Sequence, residues 1–256
     1  MEDRGFRYGQ HLFESIAVRN GSPLLETDHR DLLESSANRK EIPFPKSLAA
    51  ALGSFCKSVK LRDGMLRIYL TAGSGLAGAP VTRPSCYVSW EATRFPTDAD
   101  ISAGYRLVTL RKAVDAGGWG EKCGNYETHL AAFADARKAG ADEGIVLDGG
   151  GRVLSCAMGN ILAWLPSRTG PVLCTPPAES GPRTGAVLGW VSRKRHVRER
   201  ILRIPDLRRA VAMAVTNSRL GVMPVTSLDG KPLPDPSPAL VLADDYLRSH
   251  GLHGGA

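Results

Sequence analysis

The stretch GIVLDGGGRVLSCA, residues 144 to 157, most narrows the folds open to this chain. Two apolar runs flank Asp148-Gly149-Gly150-Gly151, a pattern that predicts an antiparallel hairpin. An antiparallel pair in mid-chain breaks the regular strand–helix alternation of a doubly wound parallel sheet. The segments around it are equally irregular. GFRYGQHLFESIAV ends like a strand and meets the turn RNGSP. LLETDHRDLLESSANRKEIPFP reads as a helix from about Thr27 until Pro43 stops it, and SLAAALGSFCKSV as a second helix. MLRIYLTAGSG and SCYVSW read as strands, and the polar stretch EATRFPTDAD marks a domain boundary near residue 98. Beyond it, RLVTLRKAV is a strand and NYETHLAAFADARKAG a helix stopped by Gly140. ILAWLP, PVLCTP, AVAMAVTN and GVMPVTSL add strands, while AVLGWVSRKRHVRER and ALVLADDYLRSHG add helices. The expected architecture is mixed α/β (α+β). A small N-terminal α+β domain over residues 1–98 precedes a larger C-terminal domain over residues 99–256.

Composition removes several function classes. Hydrophobic content of 43% and charged content of 23% are ordinary for a water-soluble domain, and no run is long and apolar enough to span a bilayer. MEDRGFRYGQ carries no signal-peptide-like apolar stretch. The cysteines Cys56, Cys86, Cys123, Cys156 and Cys174 form no CxxC pair and no Cys/His cluster with zinc spacing, so a reducing cytoplasm and no structural metal are expected. Net charge is +7, with part of the excess in SRKRHVRER, Ser192 to Arg200. No aromatic-interleaved motif accompanies that run, so it is read as a solvated helix face and not as a nucleic-acid patch. The glycine-bearing loops match neither GxGxxG nor GxxxxGK[ST].

The chemistry-bearing segment is GWGEKCGNYE, residues 118 to 127, in which Lys122 sits among glycines, a tryptophan and a tyrosine. A free lysine has a pKa of about 10.4 and becomes a nucleophile when desolvation or a neighbouring cation lowers that value. Flanking glycines permit close approach of a planar ring. On these residues alone Lys122 is read as a solvated loop lysine, the usual fate of lysines.

DRGFRYGQHLFES, LLETDHRDLLESSA, LRIYLTAGSG, KCGNYETHLAAFADARKAGADEGIVLD, GRVLSCAMGNILAW and VTNSRLGVMPVTSLDG span Asp3 to about Leu233. These six stretches, in this order, resemble the class IV aminotransferase family, the fold-type IV pyridoxal-phosphate enzymes that include branched-chain and D-amino-acid aminotransferases and aminodeoxychorismate lyase. The resemblance implies that Lys122 is the Schiff-base lysine, holding pyridoxal 5'-phosphate and then shuttling the α-proton. It implies that Asn125 and Tyr126 position the lysine loop, that Tyr8 lies near the substrate, and that Asn160 belongs to the cofactor site. Gly185 and Ala186 would open a helix whose amides face the phosphate, and Ser218 and Arg219 match a late phosphate-binding segment. An alternative anchor on Gly181 brings Arg183 and Thr184 to that place instead. The site is expected at the domain interface of a homodimer, with an amino acid or amino-acid-like acid as substrate.

Three matched positions depart from the family, one of them in TPPAESGPRTGAVLGW, where the threonine and arginine that follow the phosphate-loop glycine become Val187 and Leu188 after Gly185. Leu32 stands where the family's helix carries a phosphate-gripping arginine, leaving Arg30 or Arg219 to supply the charge. Ser155 stands where a glutamate pairs with the ring nitrogen, and no carboxylate lies between Asp148 and Asn160. A serine there leaves the ring a weaker electron sink, which favours elimination over transamination. Three readings follow: a transaminase acting between an amino acid and a 2-oxo acid, on family frequency; a lyase releasing pyruvate from a chorismate-derived amine; and a non-catalytic binding protein on the same fold.

Overall fold

The computed structural model describes residues 2–59, 62–124 and 126–252. It divides into two units, Met1–Phe95 with Glu121–Tyr126, and Pro96–Gly120 with Glu127–Ala256.

Unit 1 opens with α1 (Arg4–Tyr8), capped by the Asp3 side chain. Then come β1 (His11–Arg19), β2 (Ser22–Pro23), α2 (Glu26–Arg39), α3 (Leu48–Val59), β3 (Gly64–Thr71) and β4 (Ser85–Ala92). The strands form an antiparallel sheet in the order β2-β1-β3-β4. Alternation decides its two faces. Leu12, Ile16 and Val18 of β1 join Leu66, Ile68 and Leu70 of β3 in a core closed by Leu33 and Ala37 of α2 and Leu48 and Leu52 of α3. Glu14 shares that inner face, where a 2.8 Å contact with His29 Nδ1 of α2 satisfies it. The opposite face carries Phe13 and Tyr69, paired across β1 and β3.

Unit 2 begins with α4 (Asp98–Ala103), β5 (Tyr105–Thr109), α5 (Ala116–Trp119) and α6 (Glu127–Lys138). The hairpin β6 (Glu143–Leu147) and β7 (Val153–Cys156) follows, then β8 (Asn160–Leu165), β9 (Val172–Thr175) and α7 (Ala186–Lys194). β10 (Arg198–Glu199), α8 (Ile204–Leu207), β11 (Ala212–Asn217), β12 (Gly221–Leu228), β13 (Lys231–Pro232) and α9 (Ser237–Ser249) complete it. Its sheet runs β10-β9-β8-β11-β12-β5-β6-β7, with β13 on β12. The β6–β7 pair is antiparallel, and Asp148 Oδ1 closes its turn by accepting from the Gly150 and Arg152 amides at 2.9 and 2.8 Å. Among the described residues no helix is long and apolar enough to cross a membrane.

Two elements differ from the sequence expectation. The helix expected over AVLGWVSRKRHVRER stops at Lys194, and Arg195 turns extended at φ −135°. Its buried positions end at Val191, and the crowded cations beyond repel at helical spacing. Arg198 and Glu199 instead pair parallel with β9. The polar stretch after β4 is also not all loop. Thr97 and Asp100 form a reciprocal capping box that starts α4.

Candidate active site

In unit 1 the lysine segment is held as a rung on β1. The Phe13 amide donates to the Lys122 carbonyl at 2.9 Å, the Gly124 amide donates to the His11 carbonyl at 3.0 Å, and Leu12 bridges Cys123. Backbones approach closely here: a Cβ on Gly124 would lie 2.1 Å from the Gly9 carbonyl oxygen, and Gly9 itself has φ +67°. Gly124 is therefore required by packing against the Tyr8-Gly9-Gln10 turn. Lys122 is half-buried. Its Nζ lies 5.4 Å from the centre of the Phe13 ring, which is edge-on to Tyr126 at 4.9 Å and stacks with Tyr69 at 6.0 Å. Glu121 accepts from Arg39 Nε at 2.9 Å, anchoring the segment to α2. Tyr8 is 50% exposed, with the Arg7 guanidinium 5.2 Å from its ring. Leu32 is half-buried, and Arg30 reaches Glu26 at 3.4 Å. Asn125 lies outside the described residues.

Unit 2 gathers most of the other named residues around one loop, Ala157 to Asn160. Asn160 uses both ends of its side chain on the segment before α7. Its Nδ2 donates to the Arg183 carbonyl at 2.6 Å, and its Oδ1 accepts from the Gly185 amide at 3.0 Å. Gly185 is the N-cap and Ala186 the first helical residue. The next amides have no acceptor within the helix and suit an anion. Asn160 also pairs with Thr216 of β11, and Thr216 Oγ1 is buried without a hydrogen-bond partner. A Cβ on Gly159 would meet the Thr216 carbonyl oxygen at 2.8 Å. Asn217 donates to the Met158 carbonyl at 3.1 Å and accepts from the Leu220 amide at 2.8 Å, which fixes the turn bearing Ser218 and Arg219. Arg219 hydrogen-bonds Tyr105, whose phenol is pushed above its usual range mainly by burial.

Ser155 is buried and its hydroxyl is committed. It donates to the Cys156 carbonyl at 2.7 Å and accepts from Trp119 Nε1 at 2.7 Å. Trp119 stacks on His129 with ring centres 3.7 Å apart, and His129 Nδ1 lies 2.9 Å from the Ala157 carbonyl oxygen, so that nitrogen carries the proton. Glu143 completes the loop. It is 1% exposed, and its carboxylate accepts from the amides of Gly144, Ala157 and Met158 at 2.9, 3.1 and 3.0 Å. Burial pushes Glu143 up to about 7 against the opposing effect of those three amides.

Sequence reasoning named Lys122, Asn160, Gly185 and Ser155 but missed Trp119, Glu143, Thr216 and Asn217. Glu143 was visible as part of ADEGIVLD, and Trp119 as part of the lysine segment. Nothing in the sequence tells that the indole and the Ser155 hydroxyl meet.

The residues of each unit, taken by themselves, can be compared with what pyridoxal phosphate needs. A buried hydroxyl without a partner at Thr216, beside a helix start with open amides, fits the phosphate end. A half-buried amine over an aromatic ring fits the aldehyde end. At Ser155 the hydroxyl proton is already used, so that residue offers only a lone pair.

The profile of the family described as amino-transferase class IV matches residues 11–228. A Methanocaldococcus jannaschii protein named as a candidate branched-chain-amino-acid aminotransferase is 27% identical, over 90% of this chain and 82% of its own length. The aminodeoxychorismate lyase of Bacillus subtilis is 24% identical over 70% of this chain; the chain spans 62% of that protein. The crystal structure of 4-amino-4-deoxychorismate lyase from Pseudomonas aeruginosa superposes with a TM-score of 0.86 at 28% identity, covering 97% of this chain and 94% of that one.

Proposed function

The chain belongs to the amino-transferase class IV family, and from that premise we propose that it uses pyridoxal phosphate to move an amino group between an amino acid and a 2-oxo acid. The observation that most supports this is the Lys122 segment. Backbone hydrogen bonds to β1 and the Gly9–Gly124 approach hold it, and the Phe13 ring shields one side of the amine. Pyridoxal phosphate, when bound, supplies an aldehyde for amines and a ring that withdraws electrons from the substrate's α-carbon. In this reading Lys122 Nζ would hold the cofactor through its aldehyde and would carry a proton from and to the substrate's α-carbon. Asn160 orients Gly185 so that the amides from Ala186 onward face the phosphate, and Thr216 and Ser218 add hydroxyl donors. Arg219 faces Tyr105, which makes it a brace of its turn as well as a source of positive charge. Tyr8 contributes to the substrate side. The protein is a homodimer, which sedimentation velocity tests.

A lyase reading is favoured by Ser155. Its proton is given to the Cys156 carbonyl, so it cannot do a carboxylate's work of keeping a ring nitrogen protonated. In that reading the same lysine serves an elimination that releases pyruvate.

Titrating pyridoxal phosphate into purified protein tests both. Wild type develops an absorption band near the visible edge, and Lys122→Ala lacks it. A D- or L-amino acid plus a 2-oxo acid then yields a new amino acid for a transaminase. Pyruvate from aminodeoxychorismate without amino-group exchange marks the lyase. Identical spectra for wild type and variant contradict both readings.

A further inference from the structure

Three side chains, those of Glu143, His129 and Asn217, reach the short loop between β7 and β8, Asn160 of that loop reaches the start of α7, and Glu143 is the carboxylate that accepts from the loop's amides. We infer that Glu143 is the positioning residue for both anion-binding turns of unit 2, acting through the loop Ala157 to Asn160. This rests on the proposed function for the identity of the anion but not for the positioning itself.

Glu143 lies at the start of β6, and its two oxygens take the amides of Ala157 and Met158. Those amides precede Asn160 by three and two positions. With them fixed, the Asn160 side chain is aimed at Arg183 and Gly185, which sets where α7 begins. The carbonyl of Met158, on the next peptide group, accepts from Asn217, which sets the turn holding Ser218 and Arg219. One buried carboxylate therefore lies at the root of two hydrogen-bond chains leading to different turns. The neutral acid cannot serve equally. It keeps one good acceptor, and its O–H would oppose a backbone N–H.

Other groups face this carboxylate. Cys156 of β7 has its thiol pushed well up by burial and by Glu143. Tyr105 of β5 feels Glu143 but is hydrogen-bonded to Arg219. Asp142 is engaged by Arg106 and Arg137. His129 of α6 is turned to the Ala157 carbonyl. No cation among these neutralises Glu143 directly, so its ionised form is held by backbone amides alone. Burial brings its titration to about 7, within the working range.

Glu143→Gln keeps the shape. Whichever way the amide turns, at least one backbone N–H then faces an NH2 group. The test is amide hydrogen exchange on the full chain, read as protection factors so that the intrinsic pH dependence is removed. At pH 8 the variant is expected to lose at least tenfold protection at Ala157, Met158 and Gly185, with Ala214 in mid-β11 unchanged. Wild type alone is expected to lose protection at the same three amides between pH 8 and pH 5.5, which keeps the test open should the variant not fold. In parallel, the ratio of pyridoxal to pyridoxal phosphate dissociation constants is expected to fall about tenfold in the variant, because only the phosphate uses these turns. Unchanged protection at the three amides, in the variant or across pH in wild type, overturns the inference. Altered protection in a protein that binds neither ligand overturns the proposed cofactor and leaves the positioning role standing.

Discussion

Lys122 could be named from the sequence, but what holds it could not. Its neighbour Gly124 has no room for a methyl group, since a Cβ there would meet the Gly9 carbonyl oxygen at 2.1 Å. Gly124→Ala is therefore expected to push the segment off β1 and to cost about 1–3 kcal/mol in urea unfolding. It should also weaken the cofactor-dependent absorption band; a variant as stable as wild type with an unaltered band contradicts the placement of this segment. The glycine that opens α7, Gly185, was legible; Lys122 and Asn160 stood out only through the family resemblance. Partnerships were not legible. The Trp119–Ser155 hydrogen bond spans thirty-six positions and depends on which way an indole points, which no local pattern encodes. Arg30 and Arg219 were candidates for the missing phosphate charge, yet Arg30 lies against Glu26 and Arg219 against Tyr105. A sequence shows a cation but not what its side chain is already engaged with.

At the scale of elements, the hairpin β6–β7 was legible because its turn residues sit between two apolar runs of matched length. The end of α7 was not. The apolar run AVLGWV continues into SRKRHVRER with no glycine or proline to stop a helix, whereas burial ends at Val191 and an edge pairing with β9 claims Arg198 and Glu199. α4 went unnoticed although its capping box is written in TDAD, because a six-residue helix has too few apolar positions to show a period. The Thr97 hydroxyl accepts from the Asp100 amide at 3.2 Å. Thr97→Ala is expected to lower stability by about 1 kcal/mol, measured by chemical denaturation of unit 2 signals. A loss below a few tenths would mean that α4 is held by Ile101 packing and not by its cap.

Over the whole molecule, function at Glu143 runs against stability. Its carboxyl is raised on folding from an ordinary 4.5 to about 7 by burial, so the folded chain binds the extra proton between those values. Stability from this group therefore rises as pH falls through 7 and levels off below 4.5, by roughly 3 kcal/mol at most. Asp142, Asp148 and Asp229 have lowered values and work in the opposite sense, losing their contribution as the solution becomes more acid. The difference in unfolding free energy between wild type and Glu143→Gln isolates the first effect, and it is expected to shift in favour of wild type from pH 8 to pH 5. A constant difference would show that the carboxyl titrates as it does in water. The family assignment carries the fold and the reaction class, while the choice between transamination and elimination turns on the environment of Ser155. Both depend on Lys122 being the amine that takes the cofactor. The most direct test is to incubate the protein with pyridoxal phosphate, reduce with borohydride to fix the cofactor on its amine, and map the labelled peptide. A single label on Lys122 is the result expected here; a label spread over surface lysines, or on another lysine alone, contradicts it.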